Sequence, residues 1–409
     1  MTNVLVITQR FYPPWSHGTV SYAKGLVDTI LETDKCWKNL EVTVLSSREK
    51  TLFPELHSQE MNEYLENRSI NLEYFCTSEN KYQGNLWRIV RKLSQIKDYD
   101  IIHLLVPGCN PLWLRIATRK RNIILKHIFI YPSHSGFTTE KLGYNFFQKN
   151  ALLKLLNIDL AFSSEILQKI YYAKGLAMLP PAIDTDFYRP KPKSDHNYQA
   201  LTKCPLKFGN ISEVLQKDFV LFYMGPILHE RFDFKSVIDG LTMLRKKYCL
   251  NAGLAIAGRE VGSVRYFEEM RNYINKNDMG DCVFTCLKNL SEVEKICLFN
   301  DADVFIYPFP TKLGMSVAFP PIALLESMSA GLCVVSGGLP YLNFLIKNGD
   351  NGILIKKTID EKTFAEGVWN ALSDKRKISQ NARLTIEQNF SIQSVSKLYA
   401  DFLSNVMIR

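Results

Sequence analysis

The sequence predicts an α/β protein with two doubly wound domains that face each other across a cleft. Short apolar runs alternate with helix-length segments, and this alternation stops at a polar stretch near residue 190 and then begins again. A chain of 409 residues is long enough for two domains, each with a core of its own.

The first half begins with Asn3–Gln9, an apolar run flanked by polar residues, as is typical of a buried strand. Gly18–Leu31 follows, and its apolar residues recur at helical spacing. Further runs of strand character are Val42–Ser46, Leu72–Cys76, Ile101–Val106, Ile124–Tyr131 and Asp159–Ser163. Because helix-length segments separate these runs, we expect parallel βαβ units.

The same alternation resumes at residue 218. We predict strands at Asp218–Gly225, Leu254–Gly258, Cys282–Cys286, Val304–Pro308, Cys333–Gly337 and Gly352–Ile355. We predict helices at Lys235–Lys247, Ser291–Phe299, Pro321–Ala330 and Pro340–Ile346. Both halves therefore have the pattern of a Rossmann-like domain.

The domain boundaries follow from two features. Pro190–Asn197 is polar, contains Lys and Pro, and is typical of an exposed linker. Ile392–Val406 is an amphipathic helix that comes after the second sheet is complete. We expect domains at 1–185 and 186–390, and a C-terminal helix at 391–409 that packs back toward the first domain.

Basic residues are concentrated in the first half. The net charge is +9, and residues 86–154 alone contain twelve basic residues against three acidic ones. Those that alternate with Trp and aliphatic residues are Arg88, Arg91, Lys92, Arg115, Arg119, Lys120 and Arg121. This pattern favours two amphipathic helices with basic rims, suited to an anionic membrane surface. The alternative is two ordinary surface helices packed on a sheet. No nucleic-acid signature accompanies the charge, so we expect no nucleic-acid partner.

Several features indicate a cytoplasmic protein, peripheral on the cytosolic membrane face where it meets lipid. No apolar run reaches the roughly 18–20 residues that span a bilayer. The N-terminus lacks the basic region of a secretory signal. The nine cysteines are scattered, as expected of free thiols in a reducing compartment.

Glycines and a cation at strand ends are candidates for phosphate binding. Gly18 opens a helix after the first strand, and its N–H group can approach a phosphate. Gly225 ends a strand, and Arg231, six residues on, could pair with two oxygens of a diphosphate. The alternatives are a plain strand–helix turn for Gly18 and a solvent-exposed loop residue for Arg231.

Carboxylates in the second half have two interpretations each. Glu326 stands among apolar residues of a predicted helix, and a buried carboxylate needs hydrogen-bond donors. Two sugar hydroxyls would satisfy it, and so would a neighbouring Lys or Arg. Asp301 and Asp303 imitate a metal-binding Asp-x-Asp pair, but they directly precede a predicted strand. We expect them to start that strand and to hold no metal.

Taken together, these segments resemble family-4 retaining glycosyltransferases of the GT-B fold, nearly from end to end. The segments that carry the resemblance are Gly18 after a Pro-Pro turn, Pro181–Phe187, Gly225 with Arg231, Leu325–Gly331 before a Val-Val strand, and Asn348–Gly352. The resemblance implies hexosyl transfer from a UDP- or GDP-linked sugar to a glycan or lipid-linked acceptor, without a metal or other cofactor.

The resemblance also implies roles for single residues. Glu326 would bind the ribose hydroxyls of the donor, Arg231 its diphosphate, and Gly18 its phosphates through the backbone. His134, in Tyr131–Gly136, would lie near the transferred sugar; its alternative is a loop histidine that donates to a backbone carbonyl. Since prolines have no N–H group, the helix that follows Pro320-Pro321 would offer phosphate donors from Ile322 and Ala323.

The chain departs from the family pattern at three positions. Ala318 stands where the family has the first Glu of a pair, Pro226 where it has an Arg, and His17 where it has a Gly. The changes at 318 and 226 motivate a second hypothesis, a non-catalytic descendant that binds a nucleotide or a partner. A third hypothesis is a sugar-nucleotide epimerase of the same fold.

Overall fold

The chain folds as two compact units, each an α/β domain built on a largely parallel sheet. The computed structural model describes residues 1–13, 15, 18–47, 55–66, 68–76, 85–96, 98–106, 109, 111–131, 157–162, 177–192, 198–204, 206–229, 231–258, 264–308, 321–338, 340–355 and 359–407. Unit 1 is Met1–Ala182 together with Phe390–Arg409, and unit 2 is Ile183–Asn389. The predicted fold class, two doubly wound α/β domains, is confirmed.

Unit 1 contains a seven-stranded parallel sheet in the order β3-β2-β1-β4-β5-β6-β7. The strands are β1 (Thr2–Thr8), β2 (Leu40–Ser47), β3 (Ile70–Cys76), β4 (Tyr99–Leu104), β5 (Leu125–Ile130), β6 (Ile158–Phe162) and β7 (Ala177–Met178). The helices that the described residues form before the linker are α1 (Gly18–Trp37), α2 (Glu55–Glu66), α3 (Asn85–Leu93) and α4 (Pro111–Arg119).

The continuous apolar run of β1 follows from burial on both faces of the sheet. Val4 and Val6 enter one apolar cluster, which contains the buried face of α1. Leu5 and Ile7 enter a second cluster, which contains residues of α3 and α4. Alternate side chains of a strand point to opposite faces, so a strand covered on both sides is apolar at every position.

The C-terminal helix, Ile392–Met407, belongs to unit 1 and packs on α1. A buried row of hydrogen-bonded side chains connects this helix to the sheet. His103 of β4 bonds through Nε2 to the hydroxyl of Tyr399 at 2.8 Å and through Nδ1 to that of Tyr131 at 2.7 Å. All three side chains are fully buried, and burial lowers the pKa of His103 to about 3.

Unit 2 contains a seven-stranded sheet in the order β14-β13-β12-β9-β10-β11-β8, in which only β8 is antiparallel to its neighbour. The strands are β8 (Lys207–Phe208), β9 (Phe219–Met224), β10 (Ala252–Gly258), β11 (Val283–Leu287), β12 (Val304–Tyr307), β13 (Cys333–Gly337) and β14 (Ile353–Ile355). In the described part of unit 2 the helices are α5 (Gln199–Thr202), α6 (Ile211–Leu215), α7 (Phe234–Lys246), α8 (Val264–Lys276), α9 (Glu292–Asp301), α10 (Ile322–Ser329), α11 (Glu361–Ser373) and α12 (Lys375–Asn389).

The ends of two helices in unit 2 follow from local sequence. Ser291 caps α9 in a capping box with Glu294, which satisfies backbone N–H groups at the start of the helix. Gly331 follows α10 with φ of +78°, a left-handed conformation that glycine adopts without a steric penalty. Helices predicted at 291–299 and 321–330 are therefore present with slightly shifted ends.

One predicted helix is wrong in type. The sequence predicted an α-helix at Pro340–Ile346, and the structure has a short 3₁₀ helix at Pro340–Phe344. The side chain of Asn351 accepts from the N–H of Lys347 at 2.7 Å and donates to the carbonyl of Leu345 at 3.0 Å. These bonds engage backbone groups that a further α-helical turn would need.

Among the helices that the structure describes, none combines the length and the apolar character needed to cross a bilayer.

Candidate functional site

The sheet of unit 2 reverses its order between β9 and β12. These strands are neighbours, with β10 on the outer side of β9 and β13 on the outer side of β12. Gly225–Arg231 follows β9, and α10 comes after β12. In doubly wound sheets the carboxyl ends of the strands at such a reversal form the ligand site. The candidate donor residues of unit 2 therefore come from the two segments that flank this point.

The loop after β9 is held tightly against the neighbouring strand. A Cβ atom at Gly258, the last residue of β10, would lie 1.8 Å from the carbonyl oxygen of Gly225. A Cβ atom at Gly225 would lie 2.7 Å from the hydroxyl of Tyr223, which donates to the carbonyl of Pro226 at 2.9 Å. The backbone at 225 and 226 therefore has little room to move.

Arg231 lies at the end of this loop and is partly buried. Its N–H group donates to the carbonyl of Leu228 at 2.9 Å. The next residue, Phe232, is fully buried, and the centroid of its ring lies 4.3 Å from the centroid of the Tyr223 ring. Burial raises the pKa of Tyr223, and the positive charge of Arg231 opposes that rise. The guanidinium thus lies within electrostatic range of the carboxyl end of β9.

The first turn of α10 presents backbone donors. Pro321 supplies no side-chain cap, and its carbonyl accepts from the N–H groups of Leu324 and Leu325 at 3.0 and 3.2 Å. Within the described residues, no carbonyl or side chain accepts from Ile322 or Ala323. Helix N-termini with such N–H groups attract anions, and the helix dipole adds to the attraction.

Glu326 lies in the next turn of α10 and is only 4 % exposed. Its Oε1 accepts from Nζ of Lys295 at 2.9 Å and from the hydroxyl of Tyr188 at 3.1 Å. Nζ of Lys295 also lies 2.5 Å from Oε1 of Glu292. We call Tyr188, Glu292, Lys295 and Glu326 the buried lysine cluster. Of the two interpretations of Glu326, the ion pair with a lysine is present, and it occupies one carboxylate oxygen.

The charges in this cluster depend on one another. Burial raises the pKa of Glu326, Lys295 lowers it, and the negative charge of Glu292 raises it again, with a net rise. Burial lowers the pKa of Lys295, but the two carboxylates more than reverse this and the net shift is upward. Lys295 is therefore an ammonium ion at neutral pH, in contact with two carboxyl groups.

Lys295 and Tyr188 were not among the predicted site residues. The available signal was the position of Lys295 on α9, where it shares a helix face with Leu298 and Phe299. A charged residue on an apolar face indicates a buried partner. The sequence does not indicate which partner, because Lys295 and Glu326 are 31 residues apart.

The two residues of unit 1 that the resemblance places near the donor, Gly18 and His134, have different outcomes. Gly18 is the first residue of α1, which follows β1 next to the reversal of sheet order between β1 and β4. A Cβ atom at Gly18 would meet no atom of the described residues within 4 Å, so packing there does not require glycine. His134 lies outside the described residues, as do the departures at His17 and Ala318.

The prediction that Arg115 belongs to a basic rim is wrong. Arg115 is 4 % exposed, and its Nη2 donates to the carbonyl of Lys126 at 2.9 Å. It lies on the face of α4 that packs on the sheet, so it supports the turn into β5 and is not available to a membrane. The sequence therefore predicted the helix α4 correctly but assigned Arg115 to its exposed face, whereas this side chain lies on the buried face.

The other predicted basic residues lie at or near the surface. Arg91, Arg119, Lys120 and Arg121 are exposed, and Arg88 is partly buried. Lys92 pairs with Glu73, with Nζ and Oε2 2.8 Å apart. Trp87 on α3 and Trp113 on α4 are 63 % and 58 % exposed. We call Arg88, Arg91, Arg119, Lys120 and Arg121 with these two tryptophans the basic surface. Both helices also bury apolar residues against the sheet, as the alternative interpretation required.

The Asp-x-Asp pair is engaged by the protein. Oδ2 of Asp303 accepts from the N–H of Val220 at 2.8 Å, and its Oδ1 lies 2.5 Å from Nζ of Lys375. Asp301 accepts from the hydroxyl of Tyr198. Both side chains therefore have structural partners at the amino end of β12.

Comparison with known proteins bears on both units. The family model described as "Glycosyl transferases group 1" matches residues 209–385, which lie within unit 2. The sequence matches no curated protein. Among solved structures, HepE from Anabaena, in complex with UDP and glucose, is similar with a TM-score of 0.67 and 14 % identity over 99 % of this chain and 100 % of its own.

Two further solved structures are similar over nearly the whole chain. A glycosyltransferase from Rickettsia africae gives a TM-score of 0.68 at 13 % identity, over 99 % of this chain and 98 % of its own. Sucrose-phosphate synthase from Thermosynechococcus elongatus gives 0.65 at 13 % identity over all of both chains. The fold is GT-B. At these identities the similarity concerns the fold, and the activity is argued separately below.

Proposed function

We propose that this chain is a retaining glycosyltransferase of family 4, which transfers a hexosyl group from a UDP- or GDP-linked donor to a glycan or lipid-linked acceptor. One observation supports the proposal most strongly. Arg231 and the first turn of α10 follow adjacent strands at the reversal of sheet order in unit 2, within the segment that matches the glycosyltransferase model. The similar HepE was solved with UDP and with UDP-glucose, which favours a nucleoside diphosphate as the ligand.

In this proposal the donor diphosphate contacts a cation and a helix terminus. Arg231 pairs with its oxygens, and the N–H groups of Ile322 and Ala323 donate to it. Both hydrogen bonds that the described residues make to the side chain of Glu326 end on Oε1, so Oε2 is the oxygen we assign to the ribose hydroxyls. Gly18 next to the donor phosphates and His134 near the transferred sugar rest on the sequence resemblance alone.

The reaction requires charge stabilisation more than covalent help from the protein. The bond between the anomeric carbon and the diphosphate breaks, an oxocarbenium-like state forms, and the acceptor hydroxyl attacks the same face of the sugar. Negative charge develops on the leaving diphosphate, where Arg231 and the N–H groups of α10 stabilise it. Each such contact contributes about 3 kcal/mol, or roughly a hundredfold in rate.

Metal independence is part of the proposal. The carboxylates of Asp301 and Asp303 bind protein partners, and the diphosphate has cationic and N–H partners of its own in Arg231 and α10. Transfer in EDTA should therefore equal transfer in Mg²⁺ or Mn²⁺. A requirement for either ion would contradict this part.

A donor screen separates the three hypotheses. Purified protein is incubated with UDP- and GDP-sugars and lipid-linked or glycan acceptors, and the anomeric configuration of any product is read by NMR. Arg231→Ala and Glu326→Gln should each lower turnover about a hundredfold. Arg245→Ala is the matched control, since it removes an arginine from α7 that pairs with Asp281.

The outcomes of the screen differ for each hypothesis. A product of retained configuration supports the transferase, and one of inverted configuration overturns the retaining mechanism. Nucleotide binding without turnover of any donor favours the non-catalytic descendant. An isomerised sugar released without acceptor favours the epimerase. Calorimetry that shows no binding of UDP or GDP would overturn the transferase and the epimerase, and of the second hypothesis it would leave only a descendant that binds a partner.

We also propose that the basic surface docks on an anionic membrane at the cytosolic face, where a lipid-linked acceptor would be found. Exposed tryptophans beside arginines suit the boundary between head groups and acyl chains. Replacing Arg119, Lys120 and Arg121 with Gln should weaken binding to anionic vesicles by about 3 kcal/mol at low salt, at about 1 kcal/mol per charge.

The control variant replaces Lys246, Lys247 and Lys276 of unit 2 with Gln, which removes the same charge from exposed positions elsewhere. Its sedimentation with vesicles should match the wild type. Equal sedimentation of the wild type with neutral and anionic vesicles, or no effect of salt, would contradict the membrane proposal.

A further inference from the structure

Lys295 is a fully buried charge with no exposed surface. It lies in the first turn of α9, and burying an ammonium ion is costly unless charged partners surround it. The carboxylates of Glu292 and Glu326 supply that compensation, with oxygens 2.5 and 2.9 Å from Nζ. An apolar residue at position 295 would fill the same space without this cost, so the lysine needs an explanation beyond stability.

The geometry of Glu326 suggests one. Lys295 and Tyr188 both donate to Oε1, so two donors from different segments fix the orientation of the carboxylate. The single hydroxyl proton of Tyr188 is shared between Oε1 of Glu326 and Oε2 of Glu292, which lies 2.5 Å from the hydroxyl, so Lys295 is the stronger donor to Glu326. The arrangement leaves Oε2 of Glu326 as the oxygen that a ligand can use.

We propose that Lys295 is a positioning residue for donor binding, which holds Oε1 of Glu326 so that Oε2 accepts from the ribose hydroxyls. The inference rests on the proposed function of Glu326 and adds a residue to it. Lys295 itself does not touch the donor.

The groups packed around Glu326 make this testable by pH. Glu292 on α9 adds a like charge, and Tyr188 adds a neutral donor. Arg383 on α12 donates to the carbonyls of Ser329 and Tyr188. Lys295 is the cation in contact with the carboxylate, and it lowers the pKa of Glu326 against burial and Glu292.

Without Lys295, the pKa of Glu326 rises further, so in the variant Glu326 takes up a proton at a higher pH than in the wild type. The protonated acid is a weaker acceptor for ribose hydroxyls. Loss of the lysine should therefore weaken nucleotide binding more at low pH than at high pH, which a purely structural lysine would not do.

The test compares the dissociation constants of UDP and GDP for the wild type and Lys295→Met by calorimetry at pH 6.0, 7.0 and 8.5. We expect binding about tenfold weaker at pH 8.5, with a ratio to the wild type that grows as the pH falls. Using the ratio removes the titration of the nucleotide itself. A ratio of one, or a ratio that does not change with pH, would overturn the inference.

Lys375→Met is the matched control. Lys375 also pairs with a buried carboxylate of unit 2, Asp303, at the amino end of β12. It should lower stability and leave the nucleotide affinity unchanged at every pH.

A second variant covers the case in which Lys295→Met does not fold. Lys295→Met with Glu292→Leu removes one charge of each sign and leaves Glu326 with Tyr188 alone. The ratio of its dissociation constant to that of the wild type should depend on pH in the same way. For the single variant Glu326→Gln, this ratio should not change with pH. If the wild type binds neither nucleotide, the proposed function fails. If the wild type binds and the double variant follows its pH profile, only the role of Lys295 fails.

Discussion

His103 gives a quantitative test of how the C-terminal helix is fastened to unit 1. Its two ring nitrogens are bonded to Tyr131 and Tyr399, and the ring is fully buried. The perturbation is His103→Gln, because an amide can also donate to one tyrosine and accept from the other but does not titrate in this range.

The magnitude follows from the pKa, which falls from 6.5 to about 3 in the folded protein. Well above pH 6.5 the ring is neutral in both states and contributes no pH dependence. Between pH 6.5 and 3, His103 is protonated in the unfolded chain but not in the folded chain, so the free energy of unfolding decreases as the pH falls. The loss is about 3 kcal/mol at pH 4.5 and about 5 kcal/mol in total, at 1.36 kcal/mol per pKa unit.

The assay is urea unfolding of wild type and His103→Gln at pH 7.0 and 4.5, followed by fluorescence and by hydrogen exchange in the C-terminal helix. Carboxylates titrate in both proteins and cancel in the comparison. The wild type should lose about 3 kcal/mol more than the variant between these pH values. Equal losses would refute the reasoning, because they would mean that His103 takes up its proton in the folded state.

Three further predictions concern single side chains. Gly18→Ala should leave stability unchanged or raise it by about 0.4–1 kcal/mol, since the new methyl group meets nothing, yet weaken UDP or GDP binding about tenfold in calorimetry. Arg115→Met should cost about 1–3 kcal/mol in urea unfolding by leaving the carbonyl of Lys126 without its donor, with vesicle binding unchanged; reduced vesicle binding at full stability would contradict its structural assignment. Asp303→Asn should lower the free energy of unfolding by about 1–3 kcal/mol in the same assay and leave the transfer rate equal in EDTA and Mn²⁺. If Mn²⁺ stimulated transfer by the wild type and not by the variant, the structural role of Asp303 would be contradicted.

The sequence predicted the sheet elements well because a parallel strand buried on both faces must be apolar throughout. Val4–Ile7 within Thr2–Thr8, and Val304–Tyr307, are such segments, and both strands lie within or next to their predicted ranges. Pro340–Ile346 was predicted less well. The side chain of Asn351 binds the backbone of Leu345 and Lys347, and the spacing of apolar residues does not reveal such a contact.

Side-chain partners were decided by the tertiary structure. The sequence placed Glu326 on a helix and Arg115 on an amphipathic segment, and both placements are correct. It did not determine that Glu326 meets Lys295 and Tyr188, or that Arg115 turns toward Lys126 and Asn157.

The physical reason is the range of the interactions. Hydrophobic spacing and helix caps act within a few residues, so the printed sequence contains what is needed to place strands and helix ends. The partner of a buried charge is set by which strands lie side by side, and in a doubly wound sheet the neighbours of β9 are separated from each other by about 50 residues of chain. Sequence alone therefore determined the fold class and the helix that carries Glu326, and only the folded chain decided what its carboxylate touches.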